Sequence, residues 1–454
     1  MNVSFFQELL NSISERGRSL IDRSLGSAGS GEAIEDLSRS LLSGRGEASS
    51  VAIASRILTI YRGLEPDDKL AFFRFLFNDL GPDQTIITDA ARAYLDEPTQ
   101  GTLSSLAAAV DSPRQEFFRR LNLAPGATAA IVAMRRDLIR LLASEPDLTA
   151  VDTDTAHLLG SWFNRGFLVL KRIDWSTPAS ILEKIIQYEA VHEIRGWDEL
   201  RRRLDPRDRR CYGFFHPSLV DEPLIFVEVA LTREIPGSIQ ELLATRPEDE
   251  AGAPDPTTAV FYSISNCQKG LRGISFGNFL IKQVAEDLAH EIPSLKTFVT
   301  LSPVPRFAAW LVRLAGQEAS ELLTDEDRET LKLLEDAGWA AHAAEQERLK
   351  AVLLPLAAAY FLLATTRRGR PVDPVARFHL GNGARLERIN WLGDKSEKGL
   401  RQSHGLMVNY LYDLKDIEKN HEAYVNEGTI VTSRPVRSLL KVSETTKALV
   451  TAGE

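Results

Sequence analysis

The stretch 258–302 constrains the fold most. A β-rich run, TAVFYSIS (258–265), enters a glycine-bearing turn, NCQKGLRGISFG (266–277), and a second β-rich run, KTFVTLS (296–302), follows an amphipathic segment. Phe279, Leu280, Val284 and Leu288 recur on one side of that segment, the spacing of a helix with one buried face. Strand, turn, helix and strand in that order predict a mixed α/β domain. The short runs GFLVLKRIDW, PLIFVEVALT and, at 376–380, ARFHL extend it. The last puts His379 in a predicted strand that turns at Gly381-Asn382-Gly383 into another apolar run, the pattern of a hairpin.

Upstream of about residue 160 there is no strand-like alternation, and the chain reads as a helical bundle. LEPDDKLAFFRFLFNDLGP places Pro66 at a first helical position, Asp67 and Asp68 in the first turn, and Gly81-Pro82 as a stop. In SPRQEFFRRLNLAPG, Ser112 and Gln115 fit a capping box. The Gly/Ser-rich stretch SLGSAGSGEAIEDLSRSLLSGRGEASS reads as a loop between helices. The boundary falls near Leu159–Arg165, giving a helical domain over 1–160 and a mixed domain over 161–454, with a helical insertion around 318–366.

Composition excludes some functions. With a formal net charge of −9, nothing in the bulk field attracts a nucleic acid, although a local basic patch can still hold one small anion. Two cysteines, Cys211 and Cys267, form no CxxC pair and read as reduced thiols of a cytoplasmic protein. The most apolar run, AVLLPLAAAYFLLAT, is too short to span a bilayer and contains Pro355, so a buried helix is expected there. The eight histidines show no metal-ligand spacing, and no G-x-S-x-G elbow occurs.

The turn at 266–277 is the first candidate site. Gly270, Gly273 and Gly277 let backbone N–H groups crowd a helix N-terminus, with Gln268, Lys269 and Arg272 beside them. RGISFG (272–277) resembles the pyrophosphate loop R/Q-x-x-G-x-G/A of the GCN5-related N-acetyltransferases, with Ser275 in place of the first glycine of the pair. Ser302 lies at the carboxyl end of a strand, where ligand contacts gather in α/β sheets, and equally suits a Ser-Pro turn. His379 is either a satisfied half-buried residue or an acid–base group. Tyr410 and Tyr412 share one face of a strand or one side of a helical turn, and by pattern alone are packing residues with a usable hydroxyl. Asn382 fixes the turn or orients the imidazole.

Several blocks together closely resemble the malonyl-CoA decarboxylases: GFFHPSLVDEPLIFVEVALT (213–232), VFYSISNCQKGLRGISFGNFLIK (260–282), LSPVPRF (301–307), FHLGNGARLERINWLGDKSEKG (378–399) and HGLMVNYLYDL (404–414). The resemblance implies a helical oligomerisation domain joined to a catalytic domain of the GCN5-related acetyltransferase fold, an α+β two-domain chain. It implies conversion of malonyl-CoA to acetyl-CoA and CO2 in fatty acid metabolism, with no cofactor beyond the coenzyme A of the substrate, in a homo-oligomer, dimer or tetramer. It carries the catalytic serine onto Ser302, the catalytic histidine onto His379, a supporting tyrosine onto Tyr412 and another active-site serine onto Ser263. Where some relatives hold a glutamate, this chain has Ser275. Two alternatives share the coenzyme A loop: an acetyltransferase acting on an amine, and a non-catalytic acyl-CoA-binding scaffold.

Overall fold

A computed structural model of the chain describes residues 33–43, 46–163, 165–244, 255–274, 280–317, 322–367 and 369–441. Its contacts divide it into two compact units. The first holds the residues up to Val169 together with Phe215–Leu224 and the described part of the glycine loop, 267–274. The second holds the rest.

The first unit is helical. Tyr61, Phe72, Phe73, Phe117 and Phe118 are buried and meet ring to ring, which supplies much of its core. The capping box expected at Ser112 does not form. Ser112 Oγ donates instead to Asp154 at 2.9 Å, and Gln115 Nε2 donates to the same carboxylate at 3.0 Å. Buried Arg114 pairs with the same carboxylate while also donating to the Leu76 carbonyl, so Asp154 is held where it draws both side chains away from the cap. The Gly/Ser-rich stretch is not one loop, because Ile34–Leu42 is a helix with Ile34, Leu37 and Leu41 buried. Apolar spacing prevails there over flanking glycine and serine. The helices Gln84–Asp96 and Gln100–Val110 pack on one another yet bury none of their residues.

The second unit is built on a mixed sheet. Its strands are β1 (Val169–Ile173), β2 (Arg209–Phe215), β3 (Pro223–Thr232), β4 (Thr258–Asn266), β5 (Thr297–Thr300), β6 (Ser302–Pro303), β7 (Arg385–Asn390) and β8 (Met407–Leu411). The order is β1-β2-β3-β4-β5-β8-β6, with β7 also paired to β8. Strand β4 pairs antiparallel with β3 and parallel with β5, and β8 pairs antiparallel with β5, β6 and β7. The helix Leu280–Glu291 joins the two parallel strands, with Leu280, Val284 and Leu288 buried as expected. Phe279 lies outside the described residues. One face of the sheet packs Val260, Tyr262, Val299, Leu301 and Met407 into a continuous core.

Two features of this unit position the site. The β4–β5 ladder runs from Thr258↔Thr297 to Phe261↔Thr300, closed by the bond from Leu301 N–H to the Phe261 carbonyl. Beyond that point β4 runs on to Asn266, while the segment after β5 turns away to pair with β8 through Ser302 and Pro303. Ser263 and Ser302 each stand two residues past the last rung. The expected strand at 376–380 is absent, and Pro374–Gly381 is a helix with buried His379 near its carboxyl end. Asp373 caps it, accepting from the Val375 and Ala376 N–H groups at 2.9 and 2.8 Å, and Pro374 takes the first position. The apolar run AVLLPLAAAYFLL does lie in a buried helix, Ala343–Leu362, with Pro355 inside it.

Candidate active site

The sheet and the Pro374–Gly381 helix bring three residues from distant parts of the chain together. His379 Nε2 lies 3.1 Å from Ser302 Oγ, and His379 Nδ1 lies 2.8 Å from the Tyr412 hydroxyl. All three side chains are buried. Ser302 Oγ–H donates to Thr300 Oγ1 at 2.9 Å, and Thr300 Oγ1 also accepts the Tyr410 N–H at 3.1 Å. A serine that spends its proton on Thr300 accepts from the imidazole. That assignment makes Nε2 the donor and leaves Nδ1 to accept from Tyr412 O–H. Burial raises the tyrosine well above its ordinary range, so its hydroxyl keeps the proton that this bond needs.

Burial alone pushes His379 down to about 3, so its ring is neutral across the ordinary pH range. Among the described residues, no carboxylate touches it. The Tyr410 ring stacks on it at 4.6 Å and 23°, which fixes the imidazole plane. The Asn382 side-chain amide donates to the Phe378 carbonyl at 2.7 Å and holds the last turn of the helix. Gly383 then turns with a φ of 81°, where a Cβ would meet the Ile417 carbonyl oxygen at 2.1 Å.

Ser263 belongs to a second polar cluster. Its hydroxyl lies 2.9 and 2.7 Å from the two Glu189 carboxylate oxygens, and Ser265 donates to the same carboxylate at 3.2 Å. Glu189 also accepts the Val191 and His192 N–H groups, both at 2.7 Å. A cleft of about 890 Å³ opens on this side, lined among others by Glu189, His192, Arg203, Asp394 and Lys398. Ser302, His379 and Tyr412 do not line it.

The glycine loop is described as far as Ile274, and Ser275 and Gly277 lie outside the described residues. Lys269–Leu271 forms one tight turn, and Gln268 Nε2 donates to Glu222 at 3.2 Å and to the Pro223 carbonyl at 3.3 Å. Lys269, Arg272 and Gly273 are exposed, and Gly273 has a φ of 82°. Gly270 is buried where a Cβ would fall 1.9 Å from the Val132 carbonyl oxygen. Its glycine is thus required by close packing on a helix. Thr300 and Glu189 carry no local pattern that marks them, whereas Tyr410, expected as a packing residue, packs against the imidazole itself.

The chain matches the family model of the malonyl-CoA decarboxylase C-terminal domain over residues 166–450 and that of the N-terminal domain over residues 80–163. The chain belongs to the malonyl-CoA decarboxylase family. That family is one of carboxy-lyases, and the comparison extends through both units. Malonyl-CoA decarboxylase from Rhodopseudomonas palustris, solved by crystallography, is 56% identical, covers 89% of this chain and 98% of its own, and superposes with a TM-score of 0.86. The crystal structure of the Agrobacterium vitis malonyl-CoA decarboxylase is 55% identical over 90% of this chain and 100% of that one, at a TM-score of 0.85. The mitochondrial malonyl-CoA decarboxylase of Anser anser anser is 37% identical over 85% of this chain and 83% of its own length. Among the described residues, no helix is long and apolar enough to cross a membrane.

Proposed function

We propose that this chain decarboxylates malonyl-CoA to acetyl-CoA and CO2 with Ser302 and His379 as a working pair. The observation that carries this reading is the hydrogen-bonded line Tyr412–His379–Ser302, buried yet placed where the parallel strands part. When the bond from the α-carbon to the carboxylate breaks, CO2 leaves and its electron pair enters the thioester carbonyl as an enolate. That carbonyl is the electron sink, so the step requires neither metal nor added cofactor. The α-carbon then takes one proton from the pair, through Ser302 Oγ–H with His379 Nε2–H behind it, and the pair regains one from solvent.

A neutral imidazole suits this reaction. A cation beside the malonyl carboxylate stabilises the charge that must disappear, and so holds the ground state more than the transition state. Burial keeps His379 uncharged and denies the site that trap. Tyr412 holds Nδ1 and thereby selects the tautomer that points a proton at Ser302. We assign coenzyme A to the glycine loop, with Gln268, Lys269, Gly270, Arg272, Gly273, Ser275 and Gly277 as its pyrophosphate cradle, and Ser263 and Asn382 as supporting residues. The functional unit is a cytoplasmic homo-oligomer joined through the helical region. Ile86, Leu95, Leu103 and Val110 are exposed on the helices that bury nothing, which supports an interface there.

The test is incubation of purified protein with malonyl-CoA and no acceptor. Acetyl-CoA and CO2 in equal amounts are expected. Acyl transfer that needs an added amine makes the chain an acetyltransferase, and binding without turnover makes it an acyl-CoA-binding scaffold. Either result overturns the proposal.

A further inference from the structure

Arg135 lies on the helix Ala127–Leu141, far along the sequence from every residue assigned above. It is buried, and its guanidinium reaches the glycine loop. Its Nη1 donates to the Gly270 carbonyl at 2.7 Å and to the Arg272 carbonyl at 3.0 Å. Its other edge is held by Asp152 of the helix Thr149–Trp162, from Nε at 2.8 Å and from Nη2 at 3.3 Å. The planar fork is therefore occupied on both sides, by a carboxylate that orients it and by two carbonyls that it orients. Val132, one turn earlier on the same helix, meets Gly270 so closely that only glycine fits.

This contact has a consequence for the loop's donors. A peptide unit is planar and trans, so a carbonyl pinned on Arg135 sends the following N–H the opposite way. For the Arg272–Gly273 peptide, that N–H points away from the buried guanidinium, and Lys269, Arg272 and Gly273 are all exposed. An anion at the loop needs N–H groups already aimed before it arrives, because aiming them afterwards costs binding energy.

We propose that Arg135, oriented by Asp152, is a positioning residue that presets the 268–274 loop for the pyrophosphate of coenzyme A. The proposal rests on the assignment of that loop to coenzyme A. It gives the helical part of the first unit a role in substrate affinity, separate from oligomerisation.

The experiment compares two ligand lengths on Arg135→Gln, Arg135→Lys and Asp152→Asn proteins. Malonyl-CoA carries the pyrophosphate, whereas the malonyl thioester of N-acetylcysteamine lacks it. The expected result is a rise of about tenfold in KM for malonyl-CoA, with kcat and turnover of the short thioester kept within about twofold. Calorimetric titration with free coenzyme A is expected to show the same loss of affinity. Asp152→Asn and Arg135→Lys carry the test if Arg135→Gln does not fold. Equal losses on both thioesters, or an unchanged KM and Kd in all three, overturn the proposal. A wild-type protein that binds coenzyme A without turning over malonyl-CoA defeats the decarboxylase reading alone. The titration then still decides the role of Arg135.

Discussion

Among the described residues, His379 has hydrogen-bond partners and no charge partner, and that choice shapes what it does. Its two nitrogens meet hydroxyls, from Ser302 and Tyr412, so hydrogen bonds rather than an ion pair set its tautomer. Replacing Ser302 or His379 by alanine is expected to lower kcat by about a hundredfold or more while leaving the Kd for coenzyme A little changed, as steady-state kinetics and calorimetry will show. Tyr412→Phe removes only the donor to Nδ1 and frees the other tautomer. We expect a loss of about tenfold in kcat, the scale of one hydrogen bond. These three residues were named from the sequence through blocks shared with a known family. Their meeting was not legible there, because 77 residues separate Ser302 from His379 and 33 separate His379 from Tyr412. Glu189 and Thr300 carry no local signal at all, since only the fold turns them toward their partners.

The helix Pro374–Gly381 is the element that delivers the imidazole, where the sequence predicts a strand. Its signals were present: Asp373 as a cap, Pro374 behind it, and Gly381-Asn382-Gly383 as the stop. The short run ARFHL before a glycine turn suggests a hairpin strand, but a satisfied cap outweighs a five-residue pattern. Asp373 also accepts from the buried Tyr360 hydroxyl at 3.1 Å, and burial raises its carboxyl to about 6. Asp373→Ala removes the cap and strands that hydroxyl, so urea unfolding is expected to show a loss of about 2 kcal/mol. Asp373→Asn keeps an acceptor in place and should cost about half as much. The glycine loop shows the converse case. Its glycines suggest a cradle for an anion, and Gly270 in addition makes room for the Val132 carbonyl of a helix. No sequence window contains both residues.

At the scale of the whole molecule, burial of titratable groups ties stability to pH. His379, pushed down to about 3, binds no proton in the folded chain at pH 5, while the unfolded chain, with an ordinary imidazole, binds nearly one. Its contribution is therefore present above about 6.5 and is lost as pH falls toward 3. His379→Gln should lessen the pH slope of the unfolding free energy in that window by about 1.4 kcal/mol per pH unit, one proton's worth, in urea titrations at several pH values. The division into a helical part and a mixed α/β part was legible from periodicity alone, because amphipathic helices and β-rich runs occupy separate lengths of the chain. The placement of the glycine loop with the helical unit was not, since it depends on contacts between residues far apart in sequence. All three scales meet at Ser302 and His379, and a double-mutant cycle on malonyl-CoA turnover tests their partnership most directly. If they act as one unit, each single alanine variant loses about a hundredfold or more in kcat, and the double variant is no slower than the worse single. Losses that multiply in the double variant, or a single variant that keeps wild-type kcat, would contradict it.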